Sequence, residues 1–153
     1  MPFGINKLIF AMLAVSISLS GCTKGDEVTR IHSPDRSLDV VVIEDSAGAT
    51  SDFWYEVCVV PAKQVSCDQN NAAAILYGAT RSDVSNGVNA YWDDNDHVVM
   101  TYKTAKRISK QKQVIHAAGR EIRIKMQAGV EDPNAPPGSM WRAPRPSDHA
   151  HAQ

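Results

Sequence analysis

The chain has 153 residues, 43% of them hydrophobic, with 16 Lys and Arg against 17 Asp and Glu for a formal net charge of −1. That length fits one domain and excludes a long multidomain enzyme, a propeller and a polytopic membrane protein. The balanced charge excludes a strongly basic nucleic-acid surface and an acidic composition that would enforce disorder.

Lys7 is the one charged side chain before residue 22. It precedes Leu8–Val15 and Ser16-Ile17-Ser18-Leu19, a mostly apolar run of about 12 residues that has the shape of a secretory signal. The run is shorter than the ~20 residues a membrane-spanning helix needs. It closes with Leu19-Ser20-Gly21-Cys22. These four residues resemble the lipobox of bacterial lipoproteins. The resemblance covers the first 22 residues. It implies a signal peptide over 1–21, cleavage before Cys22, diacylglycerol on the Cys22 sulfur and usually a further acyl chain on the new amine. Each buried CH2 contributes about 0.8 kcal/mol, so one chain anchors marginally and two or more anchor durably. Thr23 stands where lipoproteins kept in the inner membrane mainly carry Asp. The resemblance therefore points to the outer membrane, with the domain facing the periplasm or the cell surface.

Residues 22–27, with Lys24, Gly25 and Asp26, read as a tether, and a β domain is expected over 28–126. Val28–His32 is a first strand. Ser33-Pro34-Asp35-Arg36-Ser37 is turn chemistry, because proline fixes one φ and Asp and Ser side chains bond backbone. Leu38–Asp45 is β-branched, has no helical stripe and predicts a central strand. Ser46–Asp52 is a small-residue loop. Trp54–Val60 predicts a second strong strand, stopped by Pro61. Tyr55, Val57 and Val59 share one of its faces, and Trp54, Glu56, Cys58 and Val60 share the other.

With Cys22 assigned to lipid, Cys58 and Cys67 remain. In an oxidising periplasm such a pair is normally a disulfide. Closing a loop of about 10 residues contributes roughly 2.7 kcal/mol. Lys63–Asp68 is polar enough to turn and bring Cys67 back, with Val65 expected beneath the loop. Closure would also shield a strand edge. The Cys-x8-Cys spacing differs from the Cys-x-x-Cys of redox sites. No His or Cys accompanies the pair at metal-ligand spacing.

Ala72–Ala79 carries a helical signal in its alanines and a strand signal in Ile75-Leu76-Tyr77-Gly78; we assign a strand. Asn86-Gly87 is the strongest short hairpin signal in the chain. Val88–Trp92 leads to the acidic turn Asp93-Asp94-Asn95-Asp96, and a strand follows over Val98–Lys103. Gln113–Ala117 and Arg120–Met126 flank Ala118-Gly119 as a second hairpin. Ile122, Ile124 and Met126 alternate with Glu121, Arg123 and Lys125, which predicts one buried and one wet face. From Gln127 the chain is rich in Pro and Gly, so 127–153 reads as a flexible tail. Short strands without a long amphipathic helix predict a mainly β fold: a small antiparallel β-sandwich or open barrel with a disordered C-terminal tail.

The body carries its own pattern: Ser33-Pro34-Asp35, the Val-rich strand Val40–Glu44 ending in an acid, Gly48-Ala49-Thr50, the aromatic strand Phe53–Val57, and Trp92-Asp93-Asp94. Over about 70 residues this resembles a group of small proteobacterial secreted proteins. Members often carry a cysteine just before Gly-Ala-Thr, where this chain has Ala47. The resemblance implies no activity and no site residues.

Candidate chemistry is sparse. The oxygen cluster Asp93–Asp96, beside His97, lacks the Gly and terminal Glu of an EF-hand loop and reads as a hairpin turn. His32 and His116 fall in or at the ends of strands and read as structural. Asp148-His149-Ala150-His151 on the tail would chelate a transition metal only adventitiously. No Gly-x-Ser-x-Gly elbow singles out a serine. Lys103, Lys106, Arg107, Lys110 and Lys112 read as a solvated turn, with contact to an anionic envelope component as the alternative. No catalytic residue, metal or cofactor is expected; the site residues are Cys22 for lipid and Cys58 with Cys67 for a disulfide. The expected function is a non-enzymatic envelope lipoprotein, with the membrane as partner through Cys22, another envelope component as the second partner and no nucleic acid. The alternative is an inhibitor or immunity lipoprotein that blocks a toxin or lytic enzyme. A small hydrolase would need a deep pocket with two carboxylates or a Ser-His pair.

Overall fold

The computed structural model describes residues 25–48, 51–64, 67, 69–82 and 85–139. The expected signal peptide, Cys22, Val65, Asp148, His149 and His151 lie outside these residues.

Alternation organises the first sheet. In β2 (Leu38–Ser46), Leu38, Val40 and Val42 point one way and Val41 the other; in β3 (Phe53–Pro61), Tyr55, Val57 and Val59 join the first set while Cys58 and Val60 join the second. Both sets are buried, which explains the unbroken valine run of β2, since a strand with one wet face would alternate. β1 (Asp26–His32) flanks β2, and β4 (Ala74–Tyr77) flanks β3. β9 (Arg107–Gln111) completes a five-stranded sheet in the order β1-β2-β3-β4-β9. The second sheet comprises β7 (Val88–Trp92), β8 (His97–Tyr102), β10 (Val114–Ala117) and β11 (Arg120–Ala128), in the order β10-β11-β8-β7. β5 (Arg81–Ser82) and β6 (Ser85–Asn86) form a short ribbon.

The protein is a β-sandwich. Leu38, Val40, Val57 and Leu76 of one sheet share a core with Val88, Val98, Met100 and Ile122 of the other. Full burial of each such Val or Leu contributes about 1.5–3 kcal/mol. The described strand pairs are antiparallel except β8 with β11, which run parallel. After β8 the chain crosses to the first sheet to form β9, then returns through the β10–β11 hairpin, so β11 arrives in the direction of β8. The hairpin closes on Ala118-Gly119 as expected, and Ile122 and Ile124 are buried while Glu121, Arg123 and Lys125 are exposed.

The outer face of the first sheet carries a second cluster of Val41, Cys58, Val60, Cys67, Ala72 and Ile75. The Cys58–Cys67 disulfide forms, with Cα atoms 5.8 Å apart, inside the 4.4–6.8 Å range that the bond requires. It holds Cys67 against this face. Over Trp54–Val57 the edge of β3 is taken by β4.

Four expectations need adjusting. The run Lys103–Lys112 is not simply a solvated turn: its second half is largely β9, bracketed by hydrogen bonds from Lys106 N–H to Tyr77 O and from Lys112 N–H to Ala73 O, both 2.9 Å. An exposed edge strand is held by backbone pairing and shows little apolar alternation, and its cations discourage pairing with other chains. Asn86-Gly87 is not a hairpin loop: Asn86 ends β6, and Gly87 leads into β7. Gly87 has φ +80°, and a β-carbon there would fall on the Tyr55 hydroxyl, so this glycine serves close packing. Asp26 and Glu27 belong to β1 rather than to the tether. Finally, β11 runs to Ala128, and residues 129–139 continue along the sandwich. Gly129 N–H donates to Lys103 O at 2.9 Å, Asn89 Nδ2 donates to Asp132 Oδ2 at 2.7 Å, and Ala135 is buried. Composition hides this strap because backbone and polar bonds hold it.

Candidate functional site

β2 is about 25 Å long at the usual strand rise and gives the sandwich two poles. Asp26, Glu44 and Phe53 lie at one, and His32, Leu38 and Pro61 at the other.

The second pole is braced by the two motif turns. Ser33 Oγ, Ser37 N–H and Ser37 Oγ all donate to Asp35 Oδ1, at 2.7, 3.0 and 2.8 Å. Arg120, at the start of β11, donates to Asp35 Oδ2 at 2.7 Å and to Asp96 Oδ1 at 2.6 Å. Asp35 N–H donates to Asn95 Oδ1, and Trp92 Nε1 donates to Ile31 O, both at 3.0 Å. Asp94 accepts from Asp96 N–H and from His97 Nδ1, each at 2.8 Å. The Ser33 hydroxyl, then the Ser37 groups, hold the Asp35 carboxyl well below the usual carboxylate range. Asp96 N–H, then His97, lower that of Asp94. The acidic turn therefore works as a cross-brace between sheets. Among the described residues no three His, Cys, Asp or Glu side chains gather as a metal site.

Asp39 lies nearby, wholly buried, on the outer side of β2. His32 Nδ1 donates to it at 2.6 Å, Arg30 at 3.0 Å and Lys63 N–H at 3.2 Å. Burial pushes the Asp39 carboxyl up, but these hydrogen bonds outweigh it and hold the carboxyl below its ordinary value. A carboxyl lowered on folding contributes stability that is complete above its unfolded pKa of about 3.9 and is lost as pH falls through the folded value. Urea midpoints are therefore expected to stay level from pH 7 to about 5 and to fall below about 4. Asp39→Asn should flatten part of that acid limb; an unchanged limb would refute the assignment.

Beside the brace the sheets part between β3 and β10. The resulting cleft measures about 480 Å³, walled by Val59, Val60 and Pro61 on one side and Val114–Ala118 on the other. Gln64, Asn70, Asn71, Lys112 and His116 supply its polar lining among the described residues. β10 is an edge strand. Ile124 N–H donates to Gln113 O, whereas Arg123 N–H turns away to Asp96 O. By the alternation of an antiparallel ladder, Ile115 and Ala117 bond to β11, and Val114 and His116 direct their N–H and C=O outward. Val114 is 42% exposed.

The remaining cations are engaged elsewhere. Lys103 pairs with Glu131 at 2.6 Å and Lys106 with Asp52 at 2.7 Å. Arg107 lies 4.0 Å over the Tyr77 ring, and Lys110 Nζ donates to Asn70 O at 3.0 Å. This basic run pins β9 to its neighbours, and Lys112 reaches the cleft.

The first pole holds a feature missed in the sequence reading. Glu44, in phase with Leu38, Val40 and Val42, points inward and pairs with Arg81 of β5; their side chains are 0% and 6% exposed. Arg81 lies 3.3 Å from the Phe53 ring centroid. Burial pushes the neighbouring Tyr55 hydroxyl up to about 12, with Arg81 pulling the other way. Gly138 crosses Glu44 so closely that a β-carbon would strike the carboxylate. The available signal was phase, since an acid at an inward position of a buried strand needs a cation.

No family model, curated protein or solved structure matches this chain.

Proposed function

We propose that the protein is a non-enzymatic envelope lipoprotein, anchored through lipid on Cys22, whose sandwich binds an extended segment of an envelope protein along β10. The observation that carries the binding reading is the open edge of β10 above an apolar-walled cleft. An added strand would take the outward N–H and C=O groups of Val114 and His116, and its side chains would enter the cleft. Among the described lining residues Lys112 carries a full charge, which favours a segment bearing an acid. The cleft lies at the pole away from Asp26, four residues from Cys22, so an anchored domain would present it away from the bilayer.

The outward direction of Val114 N–H supplies the test. Proline at an edge position removes a donor that the sandwich does not use. Val114→Pro is expected to shift stability by under about 1 kcal/mol while reducing recovery of a partner from solubilised envelope by at least tenfold. A photo-crosslinker at residue 116 should label the same partner. Undiminished recovery by the proline variant would refute the β10 site. If the labelled partner is a toxin or lytic enzyme, the binding role becomes that of an inhibitor or immunity protein.

The anchor has a separate test. Cys22→Ser is expected to give a chain without added lipid, recovered outside the membrane fraction or as precursor. Normally processed, firmly membrane-bound protein from that variant would end the lipoprotein reading.

A further inference from the structure

Val114 lies between two hollows. One is the cleft between β3 and β10. The other measures about 440 Å³ and is lined by Gln111, Gln113, Arg123 and Lys125 as well as by Val114. It opens where the chain passes from β9 into β10: the ladder between β10 and β11 covers Arg120–Arg123, and β11 runs on to Ala128. Cross-strand register places the charges around it. Val114 stands opposite Arg123, and His116 opposite Glu121. Because Ile124 N–H bonds Gln113 O, Val114 and Arg123 form a non-hydrogen-bonded pair, the kind whose side chains approach most closely. Both are exposed, and Lys125 is exposed two residues along the same face of β11. Arg123 meets Glu121 at 3.5 Å with side chains 66% and 52% exposed, an ion pair too wet to hold the guanidinium in place.

We propose that the segment adding to β10 carries an acidic residue opposite Val114 on the outer face, and that Arg123, with Lys125 beside it, selects for that residue. The inference rests on β10 being the binding edge. A strand added there extends the row His97–Arg123–Val114 by one position. Its residue in that row is two strand spacings from Arg123, about 10 Å, and the short Val114 side chain between them lets a guanidinium and a carboxylate meet across it. Opposite charges in such cross-strand positions stabilise a sheet, and like charges destabilise it. The next row holds Glu121 behind His116, so a second acid two residues along on that side is repelled. The edge thus prescribes both the sign and the position of the charge. A second copy of this chain would bring Lys112, Arg123 and Lys125 against like charges, which disfavours self-pairing here.

The test uses the full chain purified in detergent and three fluorescein-labelled peptides, read by fluorescence anisotropy at low salt. The first is Ser-Thr-Val-Glu-Val-Thr-Ser, whose valines face the cleft when its glutamate faces outward. The other two carry Thr or Lys in place of Glu. The Glu peptide is expected to bind about tenfold more tightly than the Lys peptide, with the Thr peptide between them, because attraction gives way to repulsion. Arg123→Glu with Lys125→Glu should invert that order and leave the urea midpoint unchanged, since both side chains are exposed. Equal affinity of the three peptides for the wild type, with binding lost in Val114→Pro, would overturn this inference and leave β10 as the binding edge. Binding that survives Val114→Pro would overturn both readings. Failure of the Glu peptide to bind, or a dimer of the chain that excludes it, would overturn the selection proposed here.

Discussion

Replacing Arg81 by Met is expected to destabilise the fold by about 3–5 kcal/mol, because it leaves Glu44 buried without its cation. Glu44 is wholly buried and Arg81 nearly so, and the Phe53 ring lies against the guanidinium. Glu44→Leu should cost a similar amount for the converse reason. The double replacement Glu44→Leu with Arg81→Met removes both charges and keeps the volume, and a desolvated ion pair often breaks even against such an exchange. The double variant is therefore expected to be more stable than either single variant by at least about 2 kcal/mol, a coupling of the size that contacting residues give. Urea denaturation of the four proteins decides the matter. Strict additivity would mean that the pair is not a unit and that the two side chains reach solvent independently.

This pair also explains what the sequence pattern encodes. Several residues of the pattern noted in the sequence brace the sandwich. Asp35 receives Arg120 and the two serines, Trp92 caps the Ile31 carbonyl, and Phe53 stacks on Arg81 above Glu44.

The strands legible in the sequence were those whose side chains sort by face. Leu38–Ser46 and Phe53–Pro61 show dense β-branched content, and Arg120–Ala128 shows period-two alternation. Each signal is local and follows from burial. β9 was illegible because an exposed edge strand needs only backbone partners, and its cations mimic a solvated loop. The parallel pairing of β8 with β11 was hidden because it depends on where the chain travels between them. The cleft was hidden for a related reason: its walls come from β3 and β10, more than fifty residues apart in the chain, and no local motif records that the sheets part there. Of the site residues, the cysteine pair was legible from the expected compartment and from count, since assigning Cys22 to lipid leaves two cysteines for a disulfide.

That pair yields the second large effect. Replacing Cys58 and Cys67 together by Ala is expected to lower stability by about 3–4 kcal/mol. The larger part is entropic: opening a loop of about 10 residues restores roughly 2.7 kcal/mol of freedom to the unfolded chain. The rest comes from the outer cluster, where Cys58 is wholly buried and Cys67 is 8% exposed beside Val41, Val60 and Ala72. Two lost sulfur atoms leave a gap there, and large-to-small changes cost more where the surroundings cannot collapse. The cluster is small and lies on the outer face, so the packing loss should stay at about 1 kcal/mol rather than the upper end of the cavity range. Alanine is the informative replacement, since serine would bury a hydroxyl without a partner. The cleft shares Pro61 and Gln64 with this loop, so partner recovery should weaken only modestly while the folded state persists. Reducing agent should reproduce the stability loss in the wild type and leave the double-alanine chain unaffected. Stoichiometric labelling of both thiols in denatured, unreduced protein, or equal urea midpoints for the two chains, would show that the bond contributes nothing to stability.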